Sequence, residues 1–243
     1  MTLRTKWKPG DRFLVRYKDA SIAVVEKKAG LLTVRTESGK GENLLALLRT
    51  FLGGKKGHPI VLPVHRLDRV VSGLLVFART YPAKDRLVEQ FKAHSVERKY
   101  LAAVQGIVKA DAGTFKSRLV TDAPSLVVYS EDDTEESDRG REAVTHYRVL
   151  ERFDRANATL VEVELETGLR NQIRVHFAEA GHPLLGEKKY AADTRKRTQG
   201  AERIFLHAYL LGFDHPTTGE HVRFEARLPP DLYGWKEALR KKR

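Results

Sequence analysis

The run His65-Arg66-Leu67-Asp68-Arg69-Val70-Val71-Ser72-Gly73 leads straight into Leu74-Leu75-Val76-Phe77, so a polar turn must sit at the mouth of a strand with no polar face. This continuous apolar run reads as a strand. The turn places one carboxylate, Asp68, between Arg66 and Arg69, and a loop carboxylate braced by two arginines is a candidate catalyst. The competing reading is a solvated or salt-bridged loop acid.

Upstream, Ile22 to Val25 and Leu31 to Val34 read as two short strands joined at Ala29-Gly30. Asn43 to Arg49 has the apolar spacing of a short buried helix, broken by Gly53-Gly54, and a flexible stretch follows through Lys55, Lys56, Gly57 and His58. After the strand Leu74 to Ala78, a helix is expected from Pro82 to about His94, because proline in the first turn costs no hydrogen bond. Leu87, Val88 and Phe91 would form its buried face, and Tyr100 to Val104 would be the next strand.

The acidic segment Glu131 to Arg141 has no apolar period and reads as a mobile loop. Ala143 to Leu150 and Leu160 to Leu165 alternate as strands with one buried face. Gly168 turns the chain into a helix with Ile173, Phe177 and Ala180 on one side and Gly181 as its stop. A last strand runs from His221 to Leu228, and the basic end, about residues 236–243, reads as a frayed tail. The whole is an α+β arrangement: a large mixed, mainly antiparallel sheet with flanking helices.

With 44 Lys+Arg against 32 Asp+Glu, the net charge of +12 suits a polyanionic partner, in the first place nucleic acid. The absence of cysteine excludes disulfides, thiolate metal sites and thiol nucleophiles. No signal peptide opens the sequence and no stretch approaches the roughly 20 apolar residues of a membrane span, so a cytoplasmic protein with no membrane partner is expected. No His-Glu-x-x-His spacing is present among the nine histidines, and His176 and His182 are poorly spaced as a metal pair.

Five further blocks accompany the Asp68 turn: Lys28-Ala29-Gly30; Glu97-Arg98-Lys99-Tyr100-Leu101-Ala102-Ala103-Val104-Gln105-Gly106; Thr167-Gly168-Leu169-Arg170-Asn171-Gln172-Ile173-Arg174-Val175-His176; Gly181-His182-Pro183-Leu184-Leu185-Gly186; and Leu206-His207-Ala208. In identity, order and spacing they resemble the RluA-type RNA pseudouridine synthases, over about residues 19–228. The resemblance implies a single catalytic domain, residues 1–243, with a central active-site cleft. The N-terminal RNA-binding (S4-like) domain of many relatives is expected to be missing. It further implies an isomerase acting on uridines of ribosomal or transfer RNA without metal or cofactor, as a monomer with no obligate protein partner.

The reaction breaks the N1 to C1′ bond, turns the base and joins C5 to C1′, with no redox change. One ionised carboxylate can attack the sugar or take its C2′ proton, and both roles remain open for Asp68. The resemblance implies that Arg174 holds that carboxylate charged in a dry site, where desolvation alone would raise its pKa. It also implies that Tyr100 stacks on a flipped uracil near C5, that Leu206 lines the opposite wall, and that Arg66 enters the space left by the base. The plainer roles are a surface helix arginine, a strand tyrosine, a core leucine and a phosphate contact.

Departures from the family pattern are Val71 for the usual Thr, Gly168-Leu169-Arg170-Asn171-Gln172 for Gly-Arg-Thr/Lys-His-Gln, and Glu26-Lys27-Lys28 for Asn-Lys-Pro. Arg195-Lys196-Arg197 and the basic end are candidate suppliers of phosphate contacts, which steepen salt dependence by about 0.7 to 0.9 per contact. Two other functions compete: a catalytically inactive RNA-binding module of the same fold, and a hydrolase using Asp68 with a second acid or a metal.

Overall fold

Thr80 ends the buried strand and caps the helix that follows: its hydroxyl accepts the Ala83 N–H, and Pro82 lies in the first turn. In the computed structural model, residues 7–8, 10–35, 41–53, 59–122, 125–131, 140–191 and 203–242 are described. They fall into two units, residues 1–98 with 208–227, and residues 99–207 with 228–243. The fold class is α+β, with eleven strands and four α-helices among the described residues and mainly antiparallel pairing.

In the first unit, β1 (Phe13–Lys18) pairs with β2 (Ile22–Lys27), and β2 pairs with β4 (Ser72–Ala78). The short β3 (Leu62–Pro63) also joins β4, and β10 (Leu206–Asp214) pairs with β11 (His221–Glu225). Every residue of β4 is buried, as its unalternating sequence requires. Ile22, Val24, Leu74, Val76 and Phe213 form a core with Ala83 and Leu87 of α2 (Tyr81–Lys92). Helix α1 (Leu44–Gly53) starts where the Asn43 side chain accepts the Ala46 N–H, and it runs past the expected Arg49.

The segment 31–34 is not a strand. It makes one isolated bridge, Leu32 to Asn43: the Leu31 carbonyl is taken by the Lys27 ammonium, and the Leu32 and Thr33 carbonyls accept the N–H groups of Leu44 and Leu45. These carbonyls are thus satisfied without a strand ladder.

The second unit is a sheet in the order β5 (Glu97–Gln105), β9 (Ala158–Leu165), β8 (Arg141–Phe153), β6 (Ala112–Thr121), β7 (Val128–Glu131). Helix α3 (Gln172–Glu179) packs Val175 against Leu119, Val128 and Ala143. The basic end is not a frayed tail: α4 (Pro230–Lys241) buries Leu232 and Leu239 against Phe205, Phe153 and Leu160, and Arg240 pairs with Glu151 and Glu237. The helix period there is carried by only a few apolar positions among charges, which hid it in the sequence. The expected flexible stretch 55–58, most of the acidic loop and Arg195-Lys196-Arg197 lie outside the described residues.

Candidate active site

Asp68 is held by its neighbours in sequence rather than by its own side chain. On one side, the Leu67 carbonyl accepts from the Thr33 hydroxyl at 2.7 Å and the Leu67 N–H donates back to it at 3.2 Å. On the other, the Arg69 carbonyl accepts the Gly30 N–H at 2.7 Å, and Arg69 Nε donates to the Gly30 carbonyl at 3.0 Å. Gly30 can make this turn because its φ is +87°, a region costly to side-chain-bearing residues. Lys27, wholly buried, donates from Nζ to the carbonyls of Lys28, Leu31 and Arg69. Those three acceptors match the three protons of an ammonium and tie the Ala29-Gly30 turn to the Asp68 loop. The half-buried Asp68 thus sits between two clamped residues, and its own carbonyl takes the Val71 N–H.

The expected brace of two arginines does not form through Arg69, whose Nε is spent on Gly30, while Arg66 is exposed. His65 opens the loop as a strut: its Nε2 accepts the Val76 N–H at 3.1 Å and its ring stacks on Phe91 at 4.6 Å. Desolvation, with a smaller contribution from the Arg98 charge, pulls its pKa down to about 3, so the ring is neutral and carries its proton on Nδ1. Gly73 closes the block. Its backbone lies so close to Ala208 that a Cβ would stand 2.2 Å from the Ala208 oxygen, which requires glycine at position 73.

In the second unit, Tyr100 lies on β5 opposite Val163, with 8% exposure, and Leu206 opens β10, with 3%. Arg174 is no surface arginine. It lies on α3 with 9% exposure, and its Nε and Nη2 donate to the two carboxylate oxygens of Glu187 at 2.7 and 2.8 Å. Nη1 donates to Asn171 Oδ1 at 2.7 Å, and the guanidinium lies 5.1 Å from the Tyr190 ring centre. Glu187 is fully buried; burial pushes its carboxyl up, but the Arg174 hydrogen bonds and charge, with the N–H groups of Lys189 and Tyr190, outweigh that and bring it below its ordinary value.

Helix α3 is buried on every side from Gln172 to Phe177, not on one apolar face as its period predicted. Its polar residues make this possible. Gln172 accepts from Leu169 N–H and the Thr167 hydroxyl and donates to the Val144 carbonyl and Thr145 hydroxyl. His176 bonds Thr145 at 2.8 Å and Ser117 at 3.0 Å, and His182 bonds the Gln105 carbonyl, so each has a structural partner. Asn171, in the left-handed conformation at φ +54°, turns its side chain to both Arg174 and the Tyr190 hydroxyl.

Sequence reasoning missed Glu187. The available signal was an acid directly after Gly186, whose φ is +81°, next to a block already singled out. A cavity of about 390 Å3 in this unit, between Glu151, Arg152, Arg155, Arg240 and Lys242, contains none of the candidates. Its Arg152 and Arg240 are tied to Asp111 and Glu151.

A family model described as RNA pseudouridylate synthase matches residues 21–179. An uncharacterized RNA pseudouridine synthase of Bacillus subtilis is 40% identical, over 93% of this chain and 73% of its own. The ribosomal large subunit pseudouridine synthase D of Neisseria meningitidis is 38% identical over 92% of this chain and 60% of its own, so the chain spans well short of that relative's length. Among solved structures, human RNA pseudouridylate synthase domain containing 4 aligns with a TM-score of 0.74 and 26% identity, over 93% of this chain and 92% of that one. The class is that of RNA-modifying isomerases. The chain belongs to the RluA-type RNA pseudouridine synthase family.

Proposed function

We propose that the chain isomerises specific uridines of structured RNA to pseudouridine, with Asp68 as the reacting carboxylate. The observation that carries this reading is the double clamp around Asp68, which fixes a half-buried acid through Leu67 and Arg69. Such preorganisation is what a carboxylate needs to meet C1′ or the C2′ proton of an extruded nucleotide in a fixed geometry. In this reading Arg174 supplies directed N–H donors to the reaction, Tyr100 stacks on the turned base and offers a phenol near C5, Leu206 forms the apolar wall, and Arg66 fills the space the base leaves. No step of this chemistry calls for a metal or redox group.

The substrate is ribosomal or transfer RNA, and the printed names of the Neisseria meningitidis and Pseudomonas aeruginosa relatives weigh toward large-subunit ribosomal RNA. The net charge of +12 supports a polyanionic partner. No helix among the described residues is long and apolar enough to cross a membrane. The reading also takes the protein to work in the cytoplasm as a monomer. One catalytic domain carries the whole reaction in this proposal.

The test is release of tritium to water from ribosomal RNA labelled at uracil C5. Wild-type protein releases the label, and Asp68→Asn binds the RNA but releases none. Release by Asp68→Asn at the wild-type rate excludes Asp68 as the reacting group. Binding without any release by the wild type favours the inactive RNA-binding module.

A further inference from the structure

Arg174 donates from Nε and Nη2 to Glu187 and from Nη1 to Asn171. The Glu187 carboxylate is wholly buried, and its two oxygens have different duties. Oε1 takes Arg174 Nη2 at 2.8 Å, the Lys189 N–H at 2.7 Å and the Tyr190 N–H at 3.3 Å, whereas Oε2 takes Arg174 Nε at 2.7 Å. Glu187 is thus fixed by the backbone of the turn after Gly186, and the parallel pair it forms fixes the plane of the guanidinium. Tyr190 covers one face of that plane, and Asn171 fastens Nη1 from the helix start.

We propose that Glu187 is a positioning residue for the isomerisation: it orients Arg174 and neutralises its charge in a buried setting, so that Arg174 presents directed N–H donors. This inference rests on the assignment of Arg174 to the reaction made above. The geometry supplies the reason. A buried guanidinium without a partner must find water or another acid, and either would rotate it away from its present plane. With Glu187 in place the plane is set before RNA arrives, which is the condition for a group to act without reorganising. Asn171, where the family commonly carries histidine, serves the same end here through its Oδ1.

The informative substitution is Glu187→Gln. The amide oxygen goes to the Oε1 position, where three donors meet it, and that places the amide NH2 opposite Arg174 Nε–H, donor against donor. The guanidinium must turn. Misplacement of a reacting group by about 1 Å costs on the order of 100-fold in rate.

The assay is single-turnover tritium release from ribosomal RNA labelled at uracil C5, with binding of the same RNA measured separately. Glu187→Gln is expected to lower the rate constant by about 30- to 100-fold and to leave RNA affinity within about threefold. Glu187→Asp keeps the charge with a shorter reach and is expected to recover to within about tenfold of wild type. In an Arg174→Lys background, where the planar fork is gone, adding Glu187→Gln should cost less than about threefold, since the two residues act as one unit.

A purely structural role for Glu187 predicts instead that its effect persists undiminished in the Arg174→Lys background, and that result overturns the proposal. So does Glu187→Gln at the wild-type rate while Arg174→Lys is slow, or Glu187→Asp no faster than Glu187→Gln. If Glu187→Gln does not fold, the Glu187→Asp variant in both backgrounds decides on the same criterion. Failure of the underlying reading looks different: wild-type protein releases no label, or Arg174→Lys is as fast as wild type.

Discussion

The strut at His65 makes the stability of this protein depend on pH in a calculable way. In the unfolded chain the imidazole titrates near its ordinary value of 6.5, whereas in the native protein its pKa lies at about 3. The native ring therefore refuses a proton that the unfolded chain accepts. Its contribution is complete above about pH 6.5, is lost as the pH falls below that value, and is exhausted once the pH passes about 3. Between the two values stability falls by about 1.4 kcal/mol per pH unit on account of this one group. From pH 7.5 to pH 5.0 the loss integrates to about 2 kcal/mol.

The matching substitution is His65→Gln, whose side-chain oxygen can take the Val76 N–H in place of Nε2 but does not titrate. It gives up the stacking on Phe91, a pH-independent loss of about 0.5 to 1.5 kcal/mol. Urea unfolding of both proteins at pH 7.5 and 5.0 isolates His65, because other titrating groups, including the lowered His176, cancel in the comparison. The wild type should lose about 2 kcal/mol more than the variant over that range. Equal losses, or an NMR titration of His65 in the native protein with a midpoint near 6.5, would refute the argument.

Gly73→Ala drives a Cβ into the backbone of Ala208 at a φ of +126°, so urea unfolding should show a loss of about 2 to 5 kcal/mol; a loss under about 1 would mean that the two backbones separate easily. Thr33→Val keeps the shape but removes both bonds to the Leu67 backbone. It should cost about 1 to 3 kcal/mol and slow single-turnover tritium release more than it weakens RNA binding. Leu239→Ala, in the helix that looked like a tail, should cost about 2 to 4 kcal/mol by the same unfolding measurement, because Leu239 is 3% exposed in a core with Phe205 and Leu232.

Much of the fold could be read from local patterns. The apolar run after Asp68 became β4, the helix opened by Pro82 became α2, and the alternating stretches near 143 and 160 became β8 and β9. Strands β1, β3, β6, β7 and β10 went unread. Strand β6 shows why: it alternates, but with exposed Lys116 and Arg118 between intermediate positions, so its apolar contrast is weak. The candidate residues were visible only in part. Asp68 and Arg174 stood out through their blocks, but the acid that holds Arg174 lies thirteen residues further on, after a turn whose shape depends on the left-handed Gly186.

The sequence by itself determined the α+β class, the family and the residues that carry the proposed chemistry, because those follow from periodicity and from motifs contiguous along the chain. Tertiary structure alone decided which partners hold those residues: Thr33 and Gly30 for the Asp68 loop, Glu187 and Asn171 for Arg174, Phe91 for His65. The physical reason is that hydrogen bonds and ion pairs depend on ångström distances between segments remote in sequence, and a composition or a period leaves no trace of them.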